Sequence, residues 1–370
     1  MTDETVGPVV KKNLFGNLLK EDGFYKASTI VQDIAAKVPQ RQSAYTRSPS
    51  LAWMSSVGFA PGTMSLWYGP KSSGKTMLVL DLMKDFMDRE PDAIAVFVDA
   101  EMSFEYEETL KWMHAQGIDL ERVLVIREVD IMDIFEKKIL KELQLSMMKD
   151  GVKICFIAAD SVQAMSVMKV PDTEAKIKQA AKDGALTKGD YGKRANYLAK
   201  IFPFLRMFCR DARIHFAFIG QARSGGEDFH GNMIWETNGG EALYHEVQYR
   251  FLLTPDGDPI FHPTDQDANG KPVKIGHTVK IVCQKNKMGE GQDRIGWTKI
   301  EYMKGVVGVE EELVDICSKL GVITVAGSWL SYGEHKAQGA EKFAEVLKED
   351  KLLYRELFNK MMMRASTGAA

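Results

Sequence analysis

The chain has few cysteines, little net charge and no long apolar run. Its four cysteines are widely spaced among 370 residues and form no CxxC pair, so we expect neither a disulfide framework nor a zinc site. A formal net charge of -3 excludes a uniformly basic DNA coat, and any contact with nucleic acid must come from local patches. No apolar run approaches the roughly 20 residues that span a bilayer. The acidic N-terminus has no secretory signal or transit-peptide pattern, which predicts a cytoplasmic protein without a membrane partner.

Strand and helix patterns alternate along the middle of the chain. Apolar segments separated by helical patterns predict an α/β fold with a mostly parallel sheet that is covered by helices on both faces. The last strand patterns have no long helix between them, so an antiparallel edge is expected. Residues after about 310 are rich in helical patterns and predict a small appended α/β domain. The predicted strands are 64–68, 94–99, 123–127, 153–158, 214–220, 247–253, 278–284 and 296–302.

A complete phosphate-binding loop, G-x-x-x-x-G-K-[ST], follows the first predicted strand and precedes a helical pattern. The backbone N–H groups of such a loop converge on phosphates, and a side chain at Gly74 would obstruct that approach. The Lys75 ammonium reaches the outer phosphates, and the Thr76 hydroxyl holds Mg²⁺. A chance Gly/Ser-rich turn is the alternative, but the order of strand, loop and helix favours nucleotide binding. The predicted contacts to ATP are Gly69, Pro70, Lys71, Ser72, Ser73, Gly74, Lys75 and Thr76.

Three further predicted strands lead into polar side chains that suit phosphate chemistry. Asp160 ends an apolar strand, where its carboxylate can hold Mg²⁺ beside Thr76; in other contexts an acid at a strand end is a cap or turn residue. Glu101 follows another strand and is the candidate for orienting or deprotonating the attacking water, with Asp99 as a structural neighbour. Gln221 ends a third strand, where its amide can touch the γ-phosphate and report its presence to the segment that follows.

Two segments have the composition of nucleic-acid contacts. Residues 222–240 are rich in glycine and polar residues yet carry aromatic rings, which are costly on a loop unless they stack on bases or fold back on the body. Residues 169–200 hold eight basic and four acidic residues, which indicates either a solvated helical face or a phosphate-binding cluster. The candidate DNA contacts are Lys169, Lys193, Arg194, Arg223, Gly225, Gly226, Phe229, His230 and Trp235.

Lys285 and Lys287 come directly after the seventh predicted strand and are two residues apart. Strand alternation places both side chains on one face if the strand continues. Lysines in this position can neutralise transition-state charge on a phosphate, either in the same subunit or in the next one. Considered alone, they would be surface charges.

In this order the motifs resemble those of the bacterial RecA recombinases. The resemblance extends over about residues 48–348, and the ordered set is highly specific although the phosphate loop alone is not. The segments that carry it are 50–53 (SLAW), 69–76 (GPKSSGKT), 99–101 (DAE), 160–162 (DSV), Gln221, 239–240 (GG), 285–287 (KNK), 312–315 (ELVD) and 326–332 (AGSWLSY).

The resemblance implies a DNA-dependent ATPase that forms a helical filament on single-stranded DNA and exchanges strands with homologous double-stranded DNA. As a member of that family, this chain would use Glu101 to activate water, Asp160 to support Mg²⁺ and Gln221 to sense the γ-phosphate. Residues 169–194 and 223–238 would form the first and second DNA-binding loops. Lys285 and Lys287 would reach ATP held by the neighbouring subunit.

The same resemblance implies a domain organisation and further partners. Residues 1–48 would be a polymerisation arm whose amphipathic helix docks on the adjacent protomer, residues 49–308 the ATPase core and residues 309–370 a small C-terminal domain and tail. Single-strand-binding and loader proteins are expected partners, and the cytoplasm of a bacterial or phage-infected cell is the expected location.

Some positions depart from the bacterial pattern. Lys71 replaces the usual acid of the phosphate loop. The segment 101–117 is longer than in the bacterial pattern, so the residue that stacks on adenine is not identified, and Tyr106 is a candidate. The first DNA loop is expanded. These departures predict a divergent member that is similar to phage recombinases of the UvsX type. A ring-forming helicase with the same core and a non-catalytic ATP-binding DNA scaffold are the alternatives.

Overall fold

Ten strands form the central sheet of the computed structural model, which describes residues 43–103, 108–167, 191–227, 233–237 and 241–367. Apolar strand residues are buried on both faces of this sheet, because helices cover it on either side. The strands are β1 (Met64–Gly69), β2 (Ile94–Asp99), β3 (Val123–Ile126), β4 (Ile154–Asp160), β5 (His215–Glu227), β6 (Met233–Thr237), β7 (Tyr249–Gln266), β8 (Pro272–Asn286), β9 (Ile295–Glu301) and β10 (Gly305–Val307).

The strand order across the sheet is β10-β9-β8-β7-β1-β5-β4-β2-β3, and β6 pairs with β5. The six strands from β7 to β3 in this order are parallel, whereas β8, β9 and β10 are antiparallel to their neighbours. The predicted α/β fold with a mostly parallel sheet and an antiparallel edge is therefore confirmed. Because β1, β2, β4 and β5 are parallel, the residues at their carboxyl ends lie side by side at the same end of the strands.

Helices cover the two faces of the sheet with separate apolar cores. Helix α2 packs on one face through Leu78, Leu82 and Phe86, all of which are buried. A π-helical segment that continues into α4 packs with α5 on the other face. The helices are α1 (Pro49–Ser55), α2 (Lys75–Arg89), α3 (Glu108–Ala115), the π-helical segment (Asp133–Leu143), α4 (Gln144–Asp150), α5 (Tyr191–Ala212) and α6 (Glu241–Glu246), with a 3₁₀ turn at Leu120–Arg122.

Two hairpins extend beyond the strands that the sequence predicts. β5 continues past Gly220 to Glu227 and pairs with β6, so part of the predicted loop 222–240 is a strand pair. β7 and β8 likewise continue as a long exposed ribbon. The apolar alternation that marks a half-buried strand ends before these extensions, because they are held by backbone pairing and not by a buried face.

The C-terminal elements enclose a third apolar cluster. Helix α7 (Val309–Lys319) leads to a three-stranded antiparallel sheet and then to two further helices. The strands of that sheet are β11 (Thr324–Ala326), β12 (Trp329–Tyr332) and β13 (His335–Gln338), and the helices are α8 (Ala340–Glu349) and α9 (Lys351–Thr367). The four cysteines are buried and none of them forms a disulfide. Within the described residues, no helix is both long and apolar enough to cross a membrane.

A buried carboxylate joins α7 to the sheet. Glu312 Oε1 accepts hydrogen bonds from Ser48 Oγ at 2.5 Å and from the backbone N–H of Ser50 at 2.6 Å. Its Oε2 accepts from Thr298 Oγ1 at 3.1 Å. Burial raises the pKa of Glu312 to about 7, although these hydrogen bonds oppose the rise.

This raised pKa predicts a pH-dependent junction. The folded protein holds the Glu312 proton more tightly than the unfolded chain, whose pKa is near the ordinary value of 4.5. The contribution to the unfolding free energy is therefore fully present below about pH 4.5 and declines as the pH rises through 7. Glu312→Gln keeps an acceptor but cannot ionise, so urea unfolding should show the wild type losing stability relative to this variant as the pH rises. A pH-independent difference between the two proteins would contradict this account.

Candidate active site

The phosphate-binding loop joins β1 to α2 and ends at Gly74. Gly74 has a left-handed backbone, φ 78°, and a Cβ there would lie 2.3 Å from the Ile300 Cδ1 atom. Both restrictions favour glycine. Lys75 Nζ lies within the loop, where it donates to the Pro70 carbonyl at 2.7 Å and to Ser73 Oγ at 3.3 Å. Burial lowers the pKa of Lys75, while the carboxylates of Asp160 and Glu101 oppose this change.

The register of the sheet places the predicted site residues in one row. Gly69 pairs with Gln221, and Asp99 pairs with Asp160, each pair across two parallel strands. These positions stand at the carboxyl edge next to the phosphate loop. Asp99 is fully buried and accepts from the backbone N–H of Ser103 at 2.8 Å and from its hydroxyl at 2.9 Å, so it organises the turn after β2.

Thr76 and Asp160 form a pair of oxygen ligands. Thr76 Oγ1 donates to Asp160 Oδ2 at 2.7 Å. Burial raises the pKa of Asp160 to about 7; Glu101 and Asp99 add to the rise, and Thr76 and Lys75 oppose it. Hydroxyl and carboxylate oxygens suit Mg²⁺, which takes one or two protein ligands and fills its remaining positions with phosphate and water. Among the described residues, no group of three or more His, Cys, Asp or Glu side chains is placed to hold a metal ion.

Glu101, Ser161 and Gln221 form a second cluster on the solvent side. Ser161 Oγ donates to Glu101 Oε1 at 2.5 Å, and Gln221 Nε2 donates to the same oxygen at 2.9 Å. The backbone N–H of Gln221 donates in turn to Gln163 Oε1 at 2.9 Å. Glu101 and Gln221 are exposed, in contrast to the buried Lys75. The carboxylate is thus held through one oxygen while its surroundings stay open to water.

A cavity of about 330 Å³ lies beside the phosphate loop. It is lined by residues 72–77 of the loop and by Trp112, His277, Ile300 and Tyr302. The His277 and Tyr302 rings are 5.8 Å apart between centroids, at an interplanar angle of 50°. The predicted adenine contact, Tyr106, lies outside the described residues.

Lys285 and Lys287 lie at the end of β8. Lys285 Nζ donates to the carbonyl oxygens of Tyr244 at 2.8 Å and His245 at 2.7 Å, both near the C-terminal end of α6. Burial, together with the charges of Lys287 and Arg250, lowers the pKa of Lys285 to about 8. Lys287 is exposed. The structure therefore attaches Lys285 to the segment that follows the β5–β6 hairpin.

Eight of the nine predicted DNA contacts, all except Arg194, fall into three groups. Arg223, Gly225 and Gly226 are exposed on the extension of β5, and Lys193 is exposed on α5. Trp235 is half-buried and packs against the second apolar core, so it folds back on the body to that extent. Lys169, Phe229 and His230 lie outside the described residues.

Arg194 differs from its predicted role. The sequence predicts a phosphate contact, but Arg194 is buried and its Nη1 donates to the carbonyl oxygens of Gln163 and Met165. The guanidinium holds the chain that leaves β4, because it satisfies carbonyls that lie outside any strand. An exposed phosphate contact by Arg194 would require these bonds to be released.

The sequence did not single out several side chains of this region: Ser161, Gln163, Trp112, His277 and Tyr302. Ser161 directly follows Asp160, so its place in the sequence could have identified it as a site residue. Gln163 lies in a turn, Trp112 on α3, and His277 and Tyr302 at the antiparallel edge. No spacing pattern connects them to the phosphate loop.

Two family models match the chain in succession. The RecA N-terminal domain matches residues 21–307, and the RecA C-terminal domain matches residues 311–366. Among curated proteins, Protein RecA of Thermus aquaticus is 30% identical over 311 residues, which cover 83% of this chain and 81% of that protein. Protein RecA of Chlorobium limicola is 26% identical over 347 residues, covering 91% and 87% of the two chains. Protein RecA of Thermus thermophilus is 29% identical over 335 residues, covering 89% and 88%.

Gly74→Ala should abolish nucleotide binding, and this loss should exceed what its lower folding stability alone would cause. Gly151→Ala is a matched control, because Gly151 also has a left-handed backbone, φ 70°, but its Cβ would meet open space. Both variants should lose about 1–2 kcal/mol of unfolding free energy from backbone strain. Only Gly74→Ala should also lose the rise in melting temperature that ATP and Mg²⁺ produce, since its methyl group crowds Ile300 and the phosphate position. Equal ATP-induced shifts in both variants would show that this close approach is not needed.

Proposed function

Because the chain belongs to the RecA family, we propose that it is an ATP-dependent recombinase that forms helical filaments on single-stranded DNA. In this proposal the filament pairs its strand with homologous double-stranded DNA and exchanges strands. The observation that carries the proposal is the row of site residues at one sheet edge, with Thr76 bonded to Asp160 and Gln221 bonded to Glu101. A buried half suited to MgATP thus adjoins an exposed half suited to hydrolysis.

The buried half binds the triphosphate. Lys75 and the backbone N–H groups of residues 71–76 hold the phosphates, and Thr76 with Asp160 would hold Mg²⁺. When bound with the nucleotide, Mg²⁺ neutralises charge on the phosphate oxygens. The aromatic wall formed by Trp112 and Tyr302 receives the base in the adjacent cavity.

The exposed half directs water. Glu101 orients the attacking water and accepts its proton. Both hydrogen bonds that the described residues make to this carboxylate end on Oε1, which leaves Oε2 for the water. Gln221 is placed between Glu101 and the β5–β6 hairpin, so its amide can pass the presence of the γ-phosphate to that hairpin.

The neighbouring subunit supplies the remaining positive charge. In this proposal Lys285 and Lys287 reach the triphosphate held by the next protomer, and the N-terminal arm, residues 1–48, docks on it. Such a head-to-tail contact does not close on itself and generates a helical filament. An ATPase core at residues 49–308 and a C-terminal domain at residues 309–370 complete the proposed organisation.

The DNA contacts belong to the proposed filament interior. Residues 169–194 and 223–238 form the two loops, with Lys169, Lys193 and Arg223 on phosphates and Phe229, His230 or Trp235 beside bases. Gly225 and Gly226 carry no side chain, so the backbone of the second loop can approach the DNA at these two positions. Loader and single-strand-binding partners, a cytoplasmic location and a phage origin stay predictions.

Negative-stain imaging with a non-hydrolysable ATP analogue, with and without single-stranded DNA, tests the proposal. Helical filaments that lengthen on DNA, together with an ATPase rate that single-stranded DNA raises several-fold, are the expected results. Closed rings that separate strands without pairing homologous DNA would favour a helicase. Filaments without turnover would favour a non-catalytic scaffold.

Glu101→Gln should separate binding from hydrolysis. The amide cannot accept a proton from water, so turnover should fall by about a hundred-fold to ten-thousand-fold, the usual contribution of a general base. ATP affinity and filament formation should persist, because Lys75, Thr76 and Asp160 are unchanged. Asp99→Asn is the comparison at the same strand end, since the Asp99 carboxylate accepts hydrogen bonds from Ser103 and organises the turn after β2. Wild-type turnover in Glu101→Gln would remove this residue from the proposed mechanism.

The double variant Lys285→Ala/Lys287→Ala should assemble poorly and hydrolyse ATP about a thousandfold more slowly, as expected when a cation supplied by a neighbour is lost. Lys84→Ala/Lys153→Ala is a control with the same change in charge. Its lysines pair with Asp88 and Asp92 and lie toward the opposite end of the sheet from the phosphate loop. DNA-stimulated ATPase and filament length are the readouts, and equal values for both double variants would contradict a cross-subunit role.

A further inference from the structure

The turn that follows β4, residues 161–166, is bonded to the candidate active site. Ser161, at its start, donates to Glu101 Oε1, and Gln163 Oε1 accepts the backbone N–H of Gln221 at 2.9 Å. Gln221 Nε2 in turn donates to Glu101. The turn therefore contacts both residues of the exposed half of the site, one through a hydroxyl and the other through an amide.

The Gln163 side chain is fitted closely to the end of the regular part of β5. Its Nε2 atom is enclosed and has no hydrogen-bond partner among the residues that the structure describes, so the bond to the Gln221 N–H is the polar contact that holds the amide. The same nitrogen lies 3.3 Å from the position that a Cβ on Gly220 would take. The position of Gln163 is thus tied to the backbone of residues 220–221.

Helix α5 holds the same turn from its other side. Arg194, in the first turn of this helix, is buried, and its Nη1 donates to the Gln163 carbonyl at 2.8 Å and to the Met165 carbonyl at 3.2 Å. A guanidinium is costly to bury unless its N–H groups are bonded, so we expect helix and turn to move together. The preceding residue, Lys193, is exposed, and the proposed function places it on a DNA phosphate.

We propose that Gln163 and Arg194 are positioning residues that couple DNA held beside α5 to the exposed half of the candidate active site. This inference rests on the proposed function, in which Lys193 contacts DNA and Glu101 directs the attacking water. Neither positioning residue touches DNA or nucleotide in this account, and both act through Gln221. If nucleotide and DNA favour the same arrangement of these bonds, each must raise the affinity for the other by the same factor.

Equilibrium binding measures this coupling. The readout is the factor by which a non-hydrolysable ATP analogue with Mg²⁺ lowers the Kd for a fluorescently labelled single-stranded oligonucleotide. The wild type should show a factor of about 5 to 150, the usual range for coupled sites. In Gln163→Met, which keeps the length of the side chain but has no amide, the factor should fall to near unity. The analogue should still bind without DNA, because Lys75, Thr76 and Asp160 are unchanged, and this binding also shows that the variant is folded.

Variants of Arg194 test the other end of the turn. Arg194→Met removes the N–H donors and should also abolish the coupling, whereas Arg194→Lys retains a cationic donor and should recover part of it. Arg122→Met is the matched control with the same loss of charge. Arg122 also donates to backbone carbonyls, those of Met87, Glu90 and Ala93, but it precedes β3, at the end of the parallel strands away from the phosphate loop. This control should keep the wild-type factor.

The double variant Gln163→Met/Arg194→Met should lose no more coupling than either single variant, since both changes interrupt one path. An unchanged factor in Gln163→Met, with the wild type coupled, would overturn the role of this turn and leave the proposed function standing. Weaker DNA binding by Arg194→Met with an unchanged factor would also overturn it, because Arg194 would then act as a direct DNA contact. A wild-type factor of one would overturn both this inference and the proposed function.

Discussion

The hydrogen bond from Thr76 to Asp160 holds the first turn of α2 against the end of β4, and the candidate active site depends on it. Around this bond a buried ammonium, Lys75, and a buried carboxylate, Asp160, are both shifted toward their neutral forms by burial. The two groups would therefore gain strongly from the arrival of an anion and a cation together. Magnesium with a triphosphate, the ligand that we propose for this site, would supply both.

The site has a buried half, which we propose binds the nucleotide, and an open half, which we propose directs hydrolysis. Glu101 and Gln221 face solvent, and no lysine or arginine among the described residues is bonded to either. In the proposed filament a neighbour closes this side and brings its lysines. Gln221 stands at the start of the β5–β6 hairpin, and Lys285 is bonded to α6, which follows that hairpin. Nucleotide state and hairpin position would thus be coupled from both ends, through contacts that differ between open and closed states.

The sequence predicts the parallel part of the fold well, because buried parallel strands are continuous apolar runs and each has a polar residue at its end. The positions of Asp99, Asp160 and Gln221 followed from that pattern, and the sheet register brings them into one row. The antiparallel edge and the hairpin extensions were less predictable, since backbone pairing without a buried face leaves little trace in the sequence. His277 and Tyr302 reach the site only through this edge. Arg194 shows the converse, because a basic residue in a basic segment is bonded to buried carbonyls.

Mixing two inactive variants tests the shared site most directly. Glu101→Gln retains the lysines of the neighbour, and Lys285→Ala/Lys287→Ala retains the phosphate cradle with Glu101. In a random equal mixture, about a quarter of the head-to-tail interfaces would combine an intact cradle with intact lysines. The account predicts that DNA-dependent ATP hydrolysis, absent from each variant alone, reappears in the mixture at a fraction of that order. A mixture as inactive as its components, under conditions where both proteins enter the same filaments, would contradict an active site built from two subunits.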